Sequence, residues 1–257
     1  MTGFLFNEIV FGPVISRRLG VSLGINLLPE GSKICNFDCI YCECGFNETE
    51  VKNRNLPSGA DVKLAVEEKF MKLKAAHDSP DSITFAGNGE PTLHPEFPEI
   101  VDDLTGLRNL YFPKAVISLL SNGSTIHRPE IFKTLQKLDN NILKLDAGTE
   151  EMFRKLNRYH GTATLHDFVD QLCRFNGNLI IQTMFVKGYF KGELIDNTIP
   201  GEIDPWLEYI RRIHPKSVMV YSVARPTPAQ ELTKVPKAEL EWIAGKVREL
   251  GIEVNVY

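Results

Sequence analysis

Four cysteines lie close together, Cys35, Cys39, Cys42 and Cys44, and the fifth, Cys173, stands far away. The first three follow the spacing C-x3-C-x2-C, tight enough for one loop to offer three thiolates to three irons of a cubane cluster. A cluster held by four cysteines is an electron carrier. One held by three keeps an iron with an open coordination position, which chemistry on a bound molecule requires. Two plainer readings compete. Cys44 offers a fourth thiolate for structural zinc, although one residue between it and Cys42 is short of the gap of about two to four in zinc knuckles. A ferredoxin-type carrier would need a fourth cluster ligand. An odd cysteine count, with four crowded together, does not fit a secreted disulfide scaffold.

The elements that must hold this loop can be read from hydropathy patterning. The chain has 257 residues, 43% of them hydrophobic and 24% charged, and a net charge of -4. This predicts a soluble α/β protein with a substantial core and no polycationic nucleic-acid surface. No apolar run is long enough for a membrane helix, and residues 1–11 carry no basic start before an apolar stretch, so a cytoplasmic location is expected. Short β-branched runs at 21–28, 82–86, 115–121, 142–147, 179–186 and 218–223 read as strands. Helical periodicity separates them at 61–77, 97–107, 129–138, 150–156, 165–175 and 205–213. Strands alternating with helices imply a mainly parallel sheet. A last helix over 237–250, stopped by Gly251, leads to a half-buried strand at 252–256, and 225–235 reads as a loop. The expectation is one domain over 1–257: an N-terminal segment 1–20, a core 21–223 and a C-terminal extension 224–257.

The cysteine loop, with Tyr41 before its last cysteine, resembles the signature of the radical S-adenosylmethionine (radical SAM) superfamily. The resemblance implies a partial parallel (βα)6 barrel with a short helix-strand extension. It also implies a [4Fe-4S] cluster on Cys35, Cys39 and Cys42, with S-adenosylmethionine (SAM) chelating the fourth iron. Reductive cleavage of SAM then yields a 5′-deoxyadenosyl radical that takes hydrogen from a substrate. Further stretches resemble the family's SAM contacts in order. Gly87-Asn88-Gly89-Glu90 matches the Gly-Gly-Glu stretch that binds the methionine ammonium, with Asn88 as a departure. Ser121-Asn122-Gly123 matches a turn placed against SAM, and Tyr41 and Tyr221 stand where adenine contacts are usual. Asp146 suits the ribose hydroxyls, or simply pairs with Lys144, since alternation sends both to one face of their strand. Gln182 projects from the fifth strand toward SAM or substrate.

The run 12–20, Lys144-Leu145-Asp146-Ala147 and Ala224-Arg225-Pro226 resemble uncharacterised Fe-S oxidoreductases related to tRNA-wyosine-synthesising enzymes. No cysteine precedes Cys35, so the second cluster of the wyosine enzymes, with its pyruvate-dependent chemistry, is not carried over. The substrate is left open among a small molecule, a peptide and an RNA base, with flavodoxin or ferredoxin as the electron donor. Arg17 and Arg18 are either anion ligands or solvated, and Arg225 is a candidate ligand of substrate or of the SAM carboxylate. Cys173 reads as a core residue. The alternative function is a non-catalytic iron-sulfur or zinc protein on the same fold.

Overall fold

The computed structural model describes residues 3–47 and 54–257. Its strands are β1 (Val10–Ser16), β2 (Gly20–Ile25), β3 (Ser82–Phe85), β4 (Val116–Ser121), β5 (Asn140–Lys144), β6 (Ile180–Phe190), β7 (Glu193–Asp196), β8 (Ser217–Ser222), β9 (Leu232–Lys234) and β10 (Glu253–Val256). Its helices are α1 (Gly59–Ala75), α2 (Phe97–Tyr111), α3 (Pro129–Leu135), α4 (Glu150–Asn157), α5 (Leu165–Cys173), α6 (Pro200–Ile213) and α7 (Lys237–Glu249). The sheet order is β1-β2-β3-β4-β5-β6-β8-β10. From β2 to β10 every neighbouring pair along this path is parallel, and β1 lies antiparallel at the β2 edge. The fold is α/β with a mostly parallel sheet, as the strand-helix alternation implies.

Each expected strand of the core is present, with shifted ends. β5 stops at Lys144 rather than continuing to residue 147, because the Asp146 carboxylate accepts the Met184 N–H at 2.8 Å, where a ladder carbonyl would otherwise serve. β6 runs on to Phe190 because its distal half pairs antiparallel with β7 and β9. The β6–β7 turn is a two-residue hairpin with positive φ at Lys191 and Gly192, the mirror-image turn that suits strand twist. Patterning did not mark β1, since the Gly12-Pro13 break and Arg17-Arg18 obscure its alternation; proline is tolerated at this edge position. The loop expected at 225–235 contains the short β9. β10 pairs in parallel with β8, so the α7–β10 extension repeats the core pattern and lengthens the parallel sheet by one strand.

Register decides which side chains meet. Ser22, Ser82, Thr84 and Ser118 share one face with Lys144, Gln182, Met184 and Tyr221. The other face carries Leu23, Ile83, Phe85, Ile117, Leu119, Leu143, Ile181, Phe185, Val218 and Val220, all buried, and the amphipathic helices cover it. The first face is concave. Arg18, in the β1–β2 turn, reaches Gln182 of β6 and Tyr221 of β8, so the sheet curls until its two ends approach. Within this concavity hydroxyls run from strand to strand: Ser22 to Thr84 at 2.8 Å, Thr84 to Ser82 at 3.0 Å and Ser82 to Ser118 at 2.9 Å. Asn140 donates to Ser118 at 3.2 Å. Buried polar groups need partners of this kind.

Candidate active site

The cysteine loop leaves β2 at the C-terminal edge of the parallel sheet, where parallel barrels collect functional groups. Two backbone seams fix it. Ile34 donates to Asn88 O at 2.9 Å and accepts from Glu90 N at 3.0 Å, which zips the loop to the Gly87–Glu90 stretch. Gly89 allows this approach: its φ is +132°, and a Cβ there would stand 1.9 Å from Ile34 O. On the other side, Asp38 N donates to Asn157 O at 2.9 Å and Ile40 N to Leu156 O at 3.0 Å. The loop thereby satisfies carbonyls that the end of α4 would leave without partners.

Cys35, Cys39 and Cys42 are all free thiols, with Cys39 buried and the other two half-buried. N–H donors surround their sulfurs. Phe37 N donates to Cys35 Sγ at 3.4 Å, Asn122 Nδ2 to Cys35 Sγ at 3.6 Å and Asn157 Nδ2 to Cys39 Sγ at 3.5 Å. Burial pushes the Cys35 thiol up to about 12, helped by the Glu90 carboxylate, and burial also raises Cys39. Cys42 behaves oppositely. The neighbouring Cys44 thiol and backbone, with the Lys33 ammonium nearby, bring it down to about 6. Lys33 is nearly inaccessible, donates to Gly45 O at 2.7 Å and lies 3.7 Å from Asp38. Burial opposes its charge, but the thiol sulfurs of Cys42, Cys35 and Cys39 and the Asp38 carboxylate outweigh that and raise it. Hydrogen bonds to sulfur and a buried cation suit thiolates that carry the net negative charge of an iron-sulfur cluster. The donor set therefore fits the group that the spacing implies. Among the described residues, no three His, Cys, Asp or Glu side chains could hold a single metal ion; a cubane takes each sulfur on a different iron.

Behind Cys39 lies a closed polar network. The Tyr41 hydroxyl bonds to the Asp146 carboxylate and accepts from Lys144 Nζ at 2.7 Å and Asn157 Nδ2 at 3.2 Å. Lys144 and Asp146 pair at 3.1 Å, and Asn157 Nδ2 donates to Asp146 at 2.9 Å. Burial works against the Lys144 charge, yet Asp146 and its neighbours hold the ammonium above its ordinary value. Asp146 thus has four protein donors, counting Met184 N. Glu90 is similarly enclosed, accepting from Thr92 N, the Thr92 and Ser121 hydroxyls and Asn122 N. Burial raises its carboxyl and those donors oppose the rise. Asn88 faces other work: its side chain braces Phe6 N and O and Pro29 O, holding the residues before β1 across the loop.

The family model for the Radical SAM superfamily matches residues 30–197, a span that includes the cysteine loop and β3 to β6. The chain belongs to the radical SAM superfamily. A UPF0026 protein of Methanocaldococcus jannaschii is 33% identical over 242 residues, covering 90% of this chain and 68% of the relative. Among solved structures, a radical SAM methyltransferase from Sphaerobacter thermophilus matches with a TM-score of 0.68 at 14% identity, over 92% of this chain and 65% of that one. An archaeal TYW1 matches with a TM-score of 0.52 at 13% identity, over 89% of this chain and 71% of that one. These structural likenesses show the fold. The chain spans about two thirds of the methyltransferase's length. No helix among the described residues is long and apolar enough to cross a membrane.

In this radical SAM chain the remaining residues singled out from sequence fall into two groups. Tyr41, Gly87, Gly89, Glu90, Asn122 and Asp146 surround the cysteines within the bonds just described. Tyr221 instead lines a cleft of ≈ 60 Å³ together with Arg17, Arg18, Tyr41, Met184 and Tyr257, and Gln182 holds one of these, accepting from Arg18. Arg225 lines the cleft too, paired with Glu43 at 2.6 Å. Cys173 ends α5, packed against the core. Sequence reasoning missed Lys33 and Asn157. Asn157 sits 118 positions from Cys39 and carries no signal of that contact, whereas a lysine two residues ahead of the first cysteine was in view.

Proposed function

We propose that this protein is a radical SAM enzyme that abstracts hydrogen from a substrate still to be identified. Cys35, Cys39 and Cys42 would hold a [4Fe-4S] cluster. When bound, the cluster supplies the electron that cleaves SAM reductively. The observation that carries this reading is the gathering of three thiols on one loop, with N–H donors at two sulfurs and a buried ammonium beside them. Gly87 to Glu90, zipped to that loop, would offer backbone acceptors to the SAM ammonium, with Asn122 beside them. Asp146 is a positioning residue, fixing the Tyr41 ring and the Lys144 ammonium. Tyr41, Gln182 and Tyr221 would border the adenine and the substrate. A cytoplasmic flavodoxin or ferredoxin would deliver the electron, and the kinship we infer is with the Fe-S oxidoreductases related to wyosine synthesis.

Anaerobic reconstitution with iron and sulfide, followed by dithionite and SAM, tests this reading. 5′-Deoxyadenosine should form, and Cys39→Ala should lose both the cluster and the product. A fully loaded protein that leaves SAM intact would point to the non-catalytic alternative.

A further inference from the structure

Several partly buried cations of this molecule are neutralised by carboxylates. Lys33, Lys144, Arg108 and Arg158 each have a carboxylate within 4.0 Å. Arg18 has none among the described residues. Its Nη1 donates to Gln182 Oε1 at 3.0 Å and its guanidinium lies over the Tyr221 ring, 4.7 Å from the centroid. A neutral amide and a ring face orient a guanidinium without neutralising it, and taking an unpaired charge out of water is costly. The turn that presents it is also fixed: the Ser16 hydroxyl accepts from Arg18 N and Leu19 N, each at 3.2 Å. Arg17 lines the same cleft, exposed and likewise without a carboxylate partner among the described residues. Glu43 and Arg225 offset each other there, so the cleft keeps a positive excess in a chain of net charge -4.

We propose that Arg18, assisted by Arg17, anchors an oxyanion on the substrate, a phosphoryl or carboxylate group, at the seam where the β1–β2 turn meets β6 and β8. This deepens the radical SAM reading and rests on it for the word substrate. The site itself is a property of the cleft. Arg18 retains donors beyond the bond to Gln182, and a guanidinium fork matches two oxygens of either anion. Tyr41 of the cysteine loop lines the same cleft, so an anchor at this seam would leave the rest of a substrate beside that loop.

The test is calorimetric titration of the full-length protein with inorganic pyrophosphate and, separately, with malonate, without reductant. One of them should bind, and which one does identifies the anion class. Arg18→Gln should weaken that binding at least tenfold and Arg18→Lys less, because the charge stays while the fork is lost. Arg17→Gln, at an exposed position, should weaken it severalfold with an unchanged melting temperature. The proposal is overturned if neither anion binds, or if the Arg17→Gln/Arg18→Gln double variant binds as well as wild type. It is overturned equally if SAM displaces the bound anion from reconstituted protein one for one, since the cleft would then hold the SAM carboxylate. Anion binding and 5′-deoxyadenosine formation are read separately, so failure of one leaves the other standing.

Discussion

Asn157, the last residue of α4, donates its side-chain amide to the sulfur of Cys39 at 3.5 Å and to the carboxylate of Asp146 at 2.9 Å. One amide therefore ties the cysteine loop to the end of β5, and its backbone carbonyl accepts from the same loop at Asp38. A hydrogen bond to a ligand sulfur stabilises the more negative, reduced state of a cluster. Asn157→Ala is expected to load its cluster yet show a reduction potential lower by tens of millivolts, about 60 mV for each 1.4 kcal/mol lost. Spectroelectrochemical titration of the reconstituted variant checks this. An unchanged potential would mean that the amide serves the fold alone.

Lys33 makes a sharper electrostatic case. Lys33→Met keeps an unbranched side chain one atom shorter and removes the buried charge, while Asp38 keeps Arg158 at 3.0 Å. The apo protein is expected to melt within a few degrees of wild type, since a buried charge contributes little net stability. The loaded cluster should show a potential lowered by more than in Asn157→Ala, because an ammonium acts on all three cysteines. Thermal melts of apo protein and potentials of loaded protein separate the two effects.

Gly89 and Gly192 form a matched pair of substitutions. Both have positive φ, but a Cβ at Gly89 meets Ile34 O at 1.9 Å, whereas one at Gly192 meets nothing within 4 Å. Gly89→Ala is expected to cost more than about 3 kcal/mol and to abolish iron retention, since backbone must move between the two site segments. Gly192→Ala should cost about 1 kcal/mol through its turn conformation. Urea unfolding with iron quantification reads both.

A reciprocal cap fixes where α1 begins. Asp61 accepts from the Ser58 hydroxyl at 2.6 Å and from Ser58 N at 3.2 Å, which holds its carboxyl below the ordinary value. A depressed folded-state pKa means that the stabilisation is complete above the unfolded value, near about 3.9, and is lost as pH falls through the folded one. Asp61→Asn is therefore expected to melt earlier than wild type at neutral pH, with the difference closing in acid. Paired circular-dichroism melts across that range check the sign.

The parallel sheet and the gathering of Cys35, Cys39 and Cys42 on one loop were legible because each leaves a local trace. Strands buried on one face and helices on the other repeat with fixed periods, and C-x3-C-x2-C is contiguous. Elements with short or interrupted periods were not legible: β1 is broken by Gly12-Pro13, and β9 has three residues. Asp146 shows the same limit within the site. Alternation placed it with Lys144, yet its bonds to Tyr41, Asn157 and Met184 depend on three segments meeting in space. Arg18 is a sharper instance, since nothing near it in sequence announces Gln182 or Tyr221.

The hydroxyls that link β2, β3 and β4 have a further property. In the contacts between Ser22 and Thr84, Ser82 and Thr84, and Ser82 and Ser118, either oxygen can be the donor. Each O–H can turn without moving a heavy atom, so the direction of donation along the series can reverse as a whole. Ser22, Ser82, Thr84 and Ser118 are all buried, so this freedom is internal to the sheet: protons can redistribute among packed strands while no heavy atom moves.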